Sequence, residues 1–118
     1  MKIDYLSREP LEMARGDRDV FFDLIGEDLG SVRDEYETKD GKVIKVSGVF
    51  AAAMCDGDLI PGFPIDVDLS TTPRPNQITV YANPSQGIPD GLTKKELWVV
   101  IVKDLNIVAE RKGLFLTA

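Results

Sequence analysis

Along most of this chain apolar residues recur at every second position, in short runs that turn residues interrupt. The run Ile44, Val46, Gly48, Phe50 forms one face of a strand, with Val43, Lys45, Ser47 and Val49 on the other. Upstream, "VRDEYETK" sets Arg33, Glu35, Glu37 and Lys39 on a solvent face and Val32, Asp34, Tyr36 and Thr38 opposite. Further strands are predicted at Pro64–Leu69, Gln77–Ala82, Leu97–Val102, Ile107–Glu110 and Leu114–Thr117. The turn-rich segments "STTPRPN", "NPSQGIPDG" and "KDLN" separate them. In "LWVVIV" both faces are apolar, which predicts a strand central to a closed sheet or sandwich, or one lying under a partner.

The register of the first hairpin follows from its faces. A two-residue Asp40-Gly41 turn would pair Glu37 with Ile44 and set a charged face beside an apolar one. A three-residue loop, Lys39-Asp40-Gly41 with Gly41 left-handed, pairs Thr38 with Lys42 and Tyr36 with Ile44. The apolar faces then agree, apart from Asp34 beside Val46. The bulged loop is the predicted one.

The N-terminal third reads differently. Asp17 suits a helix N-cap, and Val20, Phe21, Leu24 and Ile25 fall at i, i+1, i+4, i+5, with Gly26 or Gly30 to end the helix. Residues 1–16 read as a flexible or partly helical arm, with one helical turn over Glu9–Arg15 weakened by Pro10 and Gly16. The expected fold is mainly β: a small β-barrel or β-sandwich of about seven strands with an N-terminal helix. Residues 17–118 form its single domain.

Composition narrows function. The 118 residues are 43% apolar and 29% charged, with a net charge of −6, and the basic residues gather into no stripe. Nucleic-acid binding is therefore not expected. No apolar run approaches bilayer length, and no secretion signal is expected. The chain contains no histidine, so the commonest general base, the usual partner of a nucleophilic Ser or Cys and most transition-metal sites are missing. Catalysis would fall to carboxylates, lysine or tyrosine, and a non-enzymatic role without cofactor or metal is expected.

The short motifs point to plain structure. "DGD" at Asp56–Asp58 lacks calcium-loop spacing, because glycine is second and Val67 stands where a bidentate glutamate is needed. Asp66 and Asp68 project from one side of a strand with Ile65, Val67 and Leu69 on the other. Cys55 has no histidine and no basic sequence neighbour to lower its thiol pKa, so it reads as a packing residue. "RGD" at Arg15–Asp17 reads as a helix start, and Pro84 disqualifies Asn83–Ser85 as a glycosylation acceptor. A carboxylate-based hydrolase would rest on Asp56, Asp58, Asp66 and Asp68.

Two Pro- and Gly-rich stretches, about residues 52–63 and 83–95, are predicted as loops carrying Met54, Leu59, Ile60, Phe63, Ile88 and Leu92. These side chains either cap the sheet ends or dock onto neighbouring subunits.

The strand residues Ile44, Val46, Gly48, Val49 and Phe50, followed by Trp98, Val99 and Val100, resemble the small head–tail joining (head completion) proteins of lambda-like tailed phages. Those proteins carry a helical N-terminal arm, a strand near I-R-G-V-F-D and a later one near W-x-V. This chain has Ala51 at the position of the aspartate. The resemblance implies a ring subunit between portal or capsid and tail, without catalysis, in the bacterial cytoplasm during assembly and then in the virion. Its partners would be portal, capsid and tail components or copies of itself. The alternative from the residues is a small bacterial binding module, an adaptor, immunity or regulatory protein, that uses the same two loops.

Overall fold

A computed structural model describes residues 1–30, 32, 36–37, 39–41, 43–44, 48–55, 58–68, 70–71, 74–85, 96–103 and 106–117. Among them are ten strands: β1 Lys2–Leu6, β2 Leu11–Ala14, β3 Val20–Glu27, β4 Tyr36–Glu37, β5 Val43–Ile44, β6 Gly48–Cys55, β7 Asp58–Val67, β8 Gln77–Ala82, β9 Glu96–Lys103 and β10 Asn106–Thr117. Eight form one sheet in the order β1-β3-β8-β7-β6-β9-β10-β2, and β4 pairs with β5 apart from it. The large sheet curls into a nearly closed barrel. Its two edge strands, β1 and β2, follow one another in sequence, so the chain itself crosses the seam.

Alternation puts the core inside. Along β8, Ile78, Val80 and Ala82 are buried; along β3, Phe22, Leu24 and Gly26; along β10, Leu114 and Leu116. β9 is central as predicted, pairing with β6 on one side and β10 on the other. Val99 and Ile101 join the barrel core, and Val100 on the opposite face is also buried. The bulged first hairpin is confirmed: Tyr36 pairs with Ile44 and Glu37 with Val43, and Gly41 has φ 78°. Thr38, Lys42, Asp34 and Val46 lie outside the described residues.

Four expectations are corrected. The first is the helix, since Val20–Glu27 is strand β3 and pairs with both β1 and β8. Its apolar residues fit helical spacing because both strand faces carry some: Phe22 and Leu24 point inward, Phe21 and Ile25 outward. The window is short and rich in β-branched and aromatic residues, which favours a strand. Asp17 caps no helix; its Oδ2 accepts the Ala14 N–H at 2.8 Å, and its own N–H donates to the Ala14 carbonyl. Arg15-Gly16-Asp17 therefore lies in a turn after β2.

The second is the arm. Residues 1–16 hold β1 and β2, and Ile3, Leu6, Leu11 and Met13 are all buried in the core. The third is the loop at 52–63, which is the body of a hairpin: β6 and β7 pair from Val49↔Ile65 to Cys55↔Asp58. Asp56 and Gly57, the two residues between them in sequence, lie outside the described residues. Ala51 pairs with Phe63 and Ala52 with Pro61, leaving Gly62 as an extra bulge residue. The two short strands expected near the C-terminus are one, β10, whose pairing shifts at Val108 and Gly113.

Glu9 fastens the seam. Arg111 on β10 donates from Nε to Glu9 Oε1 at 2.9 Å and from Nη2 to Oε2 at 3.0 Å. The Leu6 N–H adds a third hydrogen bond to the same carboxylate. The Arg111 hydrogen bond holds the Glu9 carboxyl below its ordinary value of 4.5 against the opposing effect of burial, with further help from the Leu6 N–H and the guanidinium charge. A carboxyl lowered on folding stabilises the fold above its unfolded value and loses that contribution as pH falls through the folded value. The stability gap between the parent and Glu9→Gln is thus expected to be full above about pH 4.5 and to close in more acid solution. Urea titrations from pH 7 to pH 3 check this. A half-exposed pair is also screened, so molar salt should narrow the gap.

Candidate functional site

In paired strands, residues in register share a face. On the outside of β1, β3, β8 and β7 this builds three rows. Tyr5 lies beside Ile25 and Gln77; Asp23 lies beside Thr79; Phe21 lies beside Tyr81, which neighbours Asp66. Tyr5 and Phe21 are each 50% exposed, unusual for rings on a folded surface. Phe21 and Tyr81 stack with centroids 5.3 Å apart and planes tilted by 37°.

Between the aromatic rows runs a fixed polar ladder. Asp23 Oδ2 accepts from Gln77 Nε2 at 2.9 Å, and Oδ1 accepts from the Thr79 hydroxyl at 2.6 Å. Ser7 exchanges two hydrogen bonds with the Asp23 backbone, its N–H donating to the carbonyl and its Oγ accepting from the amide. Arg8 Nη2 reaches the Phe21 carbonyl at 2.9 Å. The connector between β1 and β2 thereby pins β3 from outside.

Beside this face a cleft of about 470 Å³ is lined by Thr71, Arg74, Gln77 and Thr79 among the described residues. Asp68 holds the turn that carries Thr71, because its Oδ1 accepts from the Ser70 N–H and hydroxyl while its carbonyl accepts from Thr71 Oγ1 at 2.9 Å. The Arg74 backbone is held in a bridge with Gln77.

The predicted contact residues fall elsewhere. Met54 and Leu59 face one another as Cα partners at the end of the β6–β7 hairpin, Ile60 is opposite Ala53, and Phe63 is opposite Ala51. Pairing of β6 with β9 stops at Ala53↔Leu97, and β7 meets β8 at Asp66 and Val67. Among the described residues, Met54, Cys55, Asp58 and Leu59 therefore pair only with each other. Ile88, Leu92 and Asp56 lie outside the described residues, as does the stretch 86–95. From the other predicted loop, Asn83 Oδ1 accepts the Asp19 N–H at 2.6 Å and Pro84 is buried.

Of the four acids named for a hydrolase, the three among the described residues lie at separate places. Asp58 is at the hairpin end, Asp66 is beside Tyr81, and Asp68 is committed to its turn. Among the described residues no group of three or more Cys, Asp or Glu side chains is placed to hold a metal. Sequence reasoning missed the outer face because it read Phe21 and Asp23 as helical. One signal was present: Gln77, Thr79 and Tyr81 alternate along a strand whose other face is apolar.

Comparison with known proteins finds no match: no family model, no curated protein and no solved structure aligns significantly with this chain.

Proposed function

We propose that this protein is a non-enzymatic structural subunit of a phage or prophage virion, a head–tail connector that joins portal or capsid to tail. The observation that carries this reading is the end of the β6–β7 hairpin. There Met54 and Leu59 sit side by side on backbone that, among the described residues, pairs with no third strand. An apolar hairpin end held by a rigid barrel is a contact element for a neighbouring subunit. Pro61 and Pro64 on β7 remove two donors from a regular ladder, which protects that edge from indiscriminate strand pairing.

Of the residues that carry the phage resemblance, Gly48, Val49 and Phe50 on β6 and Trp98, Val99 and Val100 on β9 lie on adjacent paired strands, which agrees with the strand layout that the resemblance implies. Gly48 pairs with Val102, Val49 with Ile101 and Phe50 with Val100. Where the phage proteins use a helical arm, this chain has two barrel strands, so assembly falls to the hairpin. The subunit would assemble in the bacterial cytoplasm and remain in the virion.

The test is a Met54→Asp, Leu59→Asp variant in a host producing the particle. A urea titration of the variant beside the parent separates loss of joining from loss of folding. Heads and tails should accumulate unjoined under the electron microscope. Normal yields of joined particles would remove the hairpin from the interface, and capture of a non-virion partner through Met54 and Leu59 would replace the connector with a binding module.

A further inference from the structure

We propose that the outer face of β3 and β8, together with the cleft beside Arg74, binds an oligosaccharide bearing a sparse acidic group. This goes beyond the connector reading and uses no residue of the hairpin end.

The argument starts from the protons. A threonine hydroxyl has one proton and two lone pairs. Thr79 gives its proton to Asp23, and Thr71 gives its proton to the Asp68 carbonyl. Toward the cleft both hydroxyls can therefore only accept. Gln77 has one amide proton committed to Asp23, and its second amide proton and carbonyl oxygen can serve a hydroxyl as donor and acceptor. A guanidinium can only donate, and among the described residues Arg74 has no ion-pair partner. The cleft thus asks for a ligand with several hydroxyl donors beside one carboxylate, sulfate or phosphate.

The rings narrow the class. Tyr81 follows Thr79 by two residues on the same face, about 7 Å along the strand. Partly buried itself, it stacks with half-exposed Phe21 to offer an aromatic surface one sugar unit from the cleft. A pyranose matches this sequence of contacts: its C–H face packs on an aromatic ring while its hydroxyls reach polar neighbours. A peptide partner would favour a continuous apolar patch, whereas here a pre-satisfied ladder separates the rings. Asp23 holds Gln77 and Thr79 in place before the ligand arrives, so little freedom is lost on binding.

Charge limits the ligand further. The chain carries a net charge of −6, Asp23 bonds two of the lining residues and Asp68 bonds a third, so a dense polyanion is repelled. Arg74 accommodates one acidic group, and neutral units must fill the aromatic surface.

Hyaluronan hexasaccharide, with one carboxylate per disaccharide, serves as the probe. Chitohexaose is the neutral control and a heparin hexasaccharide the dense one. Titration followed by amide NMR should show hyaluronan hexasaccharide perturbing Thr71, Arg74, Gln77, Thr79 and Tyr81. Its affinity should exceed that of either control by about tenfold or more, the scale of a charge-assisted pair. Arg74→Gln should erase the preference over chitohexaose, and Phe21→Ala should weaken both sugars about threefold or more at a temperature where the variant remains fully folded. Four results would overturn the proposal: no binding of hyaluronan hexasaccharide, equal binding of chitohexaose, no effect of Phe21→Ala, or the same shifts with equal affinity from sodium phosphate or free glutamate.

Discussion

Deleting residues 1–16 is expected to abolish cooperative folding. The segment supplies both edge strands of the barrel and four buried side chains, Ile3, Leu6, Leu11 and Met13. At about 1.5–3 kcal/mol each, their burial contributes roughly 6–12 kcal/mol. A domain of this size has a net stability of about 5–15 kcal/mol, so the loss is of the same order as the whole. The deletion also strips the Glu9 clasp from Arg111 and leaves β3 and β10 with open edges, which invites aggregation. Far-UV circular dichroism and a thermal scan of the truncated chain check this. A sharp transition near that of the full chain would mean that the remaining strands form a self-sufficient core, against the packing described.

The second large effect is expected from Gly26→Ala. Gly26 is buried on β3 where Ile3 of β1 is its Cα partner. A Cβ built there runs into the Lys2 carbonyl oxygen, with the Lys2 carbonyl carbon 2.8 Å away and Ile3 Cα 3.0 Å away. These are backbone atoms, so relief requires moving β1 itself rather than turning a side chain. Overpacking ordinarily costs about 1–3 kcal/mol, and a backbone obstacle puts this variant at the upper end, about 3 kcal/mol. Urea unfolding should show a lower midpoint, and hydrogen exchange should show β1 amides losing protection first. Gly16→Ala is the control, because nothing lies within 4 Å of a Cβ at that exposed turn. Equal midpoints for the two variants would contradict the close β1–β3 approach.

The strands that the sequence revealed are those whose two faces differ or whose ends are marked. Gln77–Ala82 alternates cleanly between turn segments, and β8 has those bounds. The Tyr36↔Ile44 register was legible because only one loop length brings apolar faces together. Both faces of Leu97–Val102 are apolar, and β9 does sit between two neighbours. Failures came where a bulge broke the period. Ile3 and Leu6 both point inward although they are three positions apart, since the β1 register shifts at Asp4. In β10 the shifts at Val108 and Gly113 disguise one long strand as two short ones. In β3, apolar residues on both faces imitate a helix.

The candidate surfaces divide the same way. Met54 and Leu59 were nameable from sequence as apolar residues beside a turn, and tertiary structure added that they are direct neighbours. The face built by Phe21, Tyr81, Asp23, Gln77 and Thr79 was not nameable, because its members are up to 60 positions apart in sequence and meet only through β3–β8 pairing. By itself, the sequence determined a β-rich domain, the positions of its best-punctuated strands, one hairpin register and the absence of histidine chemistry. These follow from local periodicity and composition, which each segment carries alone. Tertiary structure decided that the first sixteen residues close the barrel, that residues 20–27 are strand, and which outer side chains share a face. Those outcomes depend on pairing between distant segments, where burying both faces of a short apolar run in a sheet outweighs its local likeness to a helix.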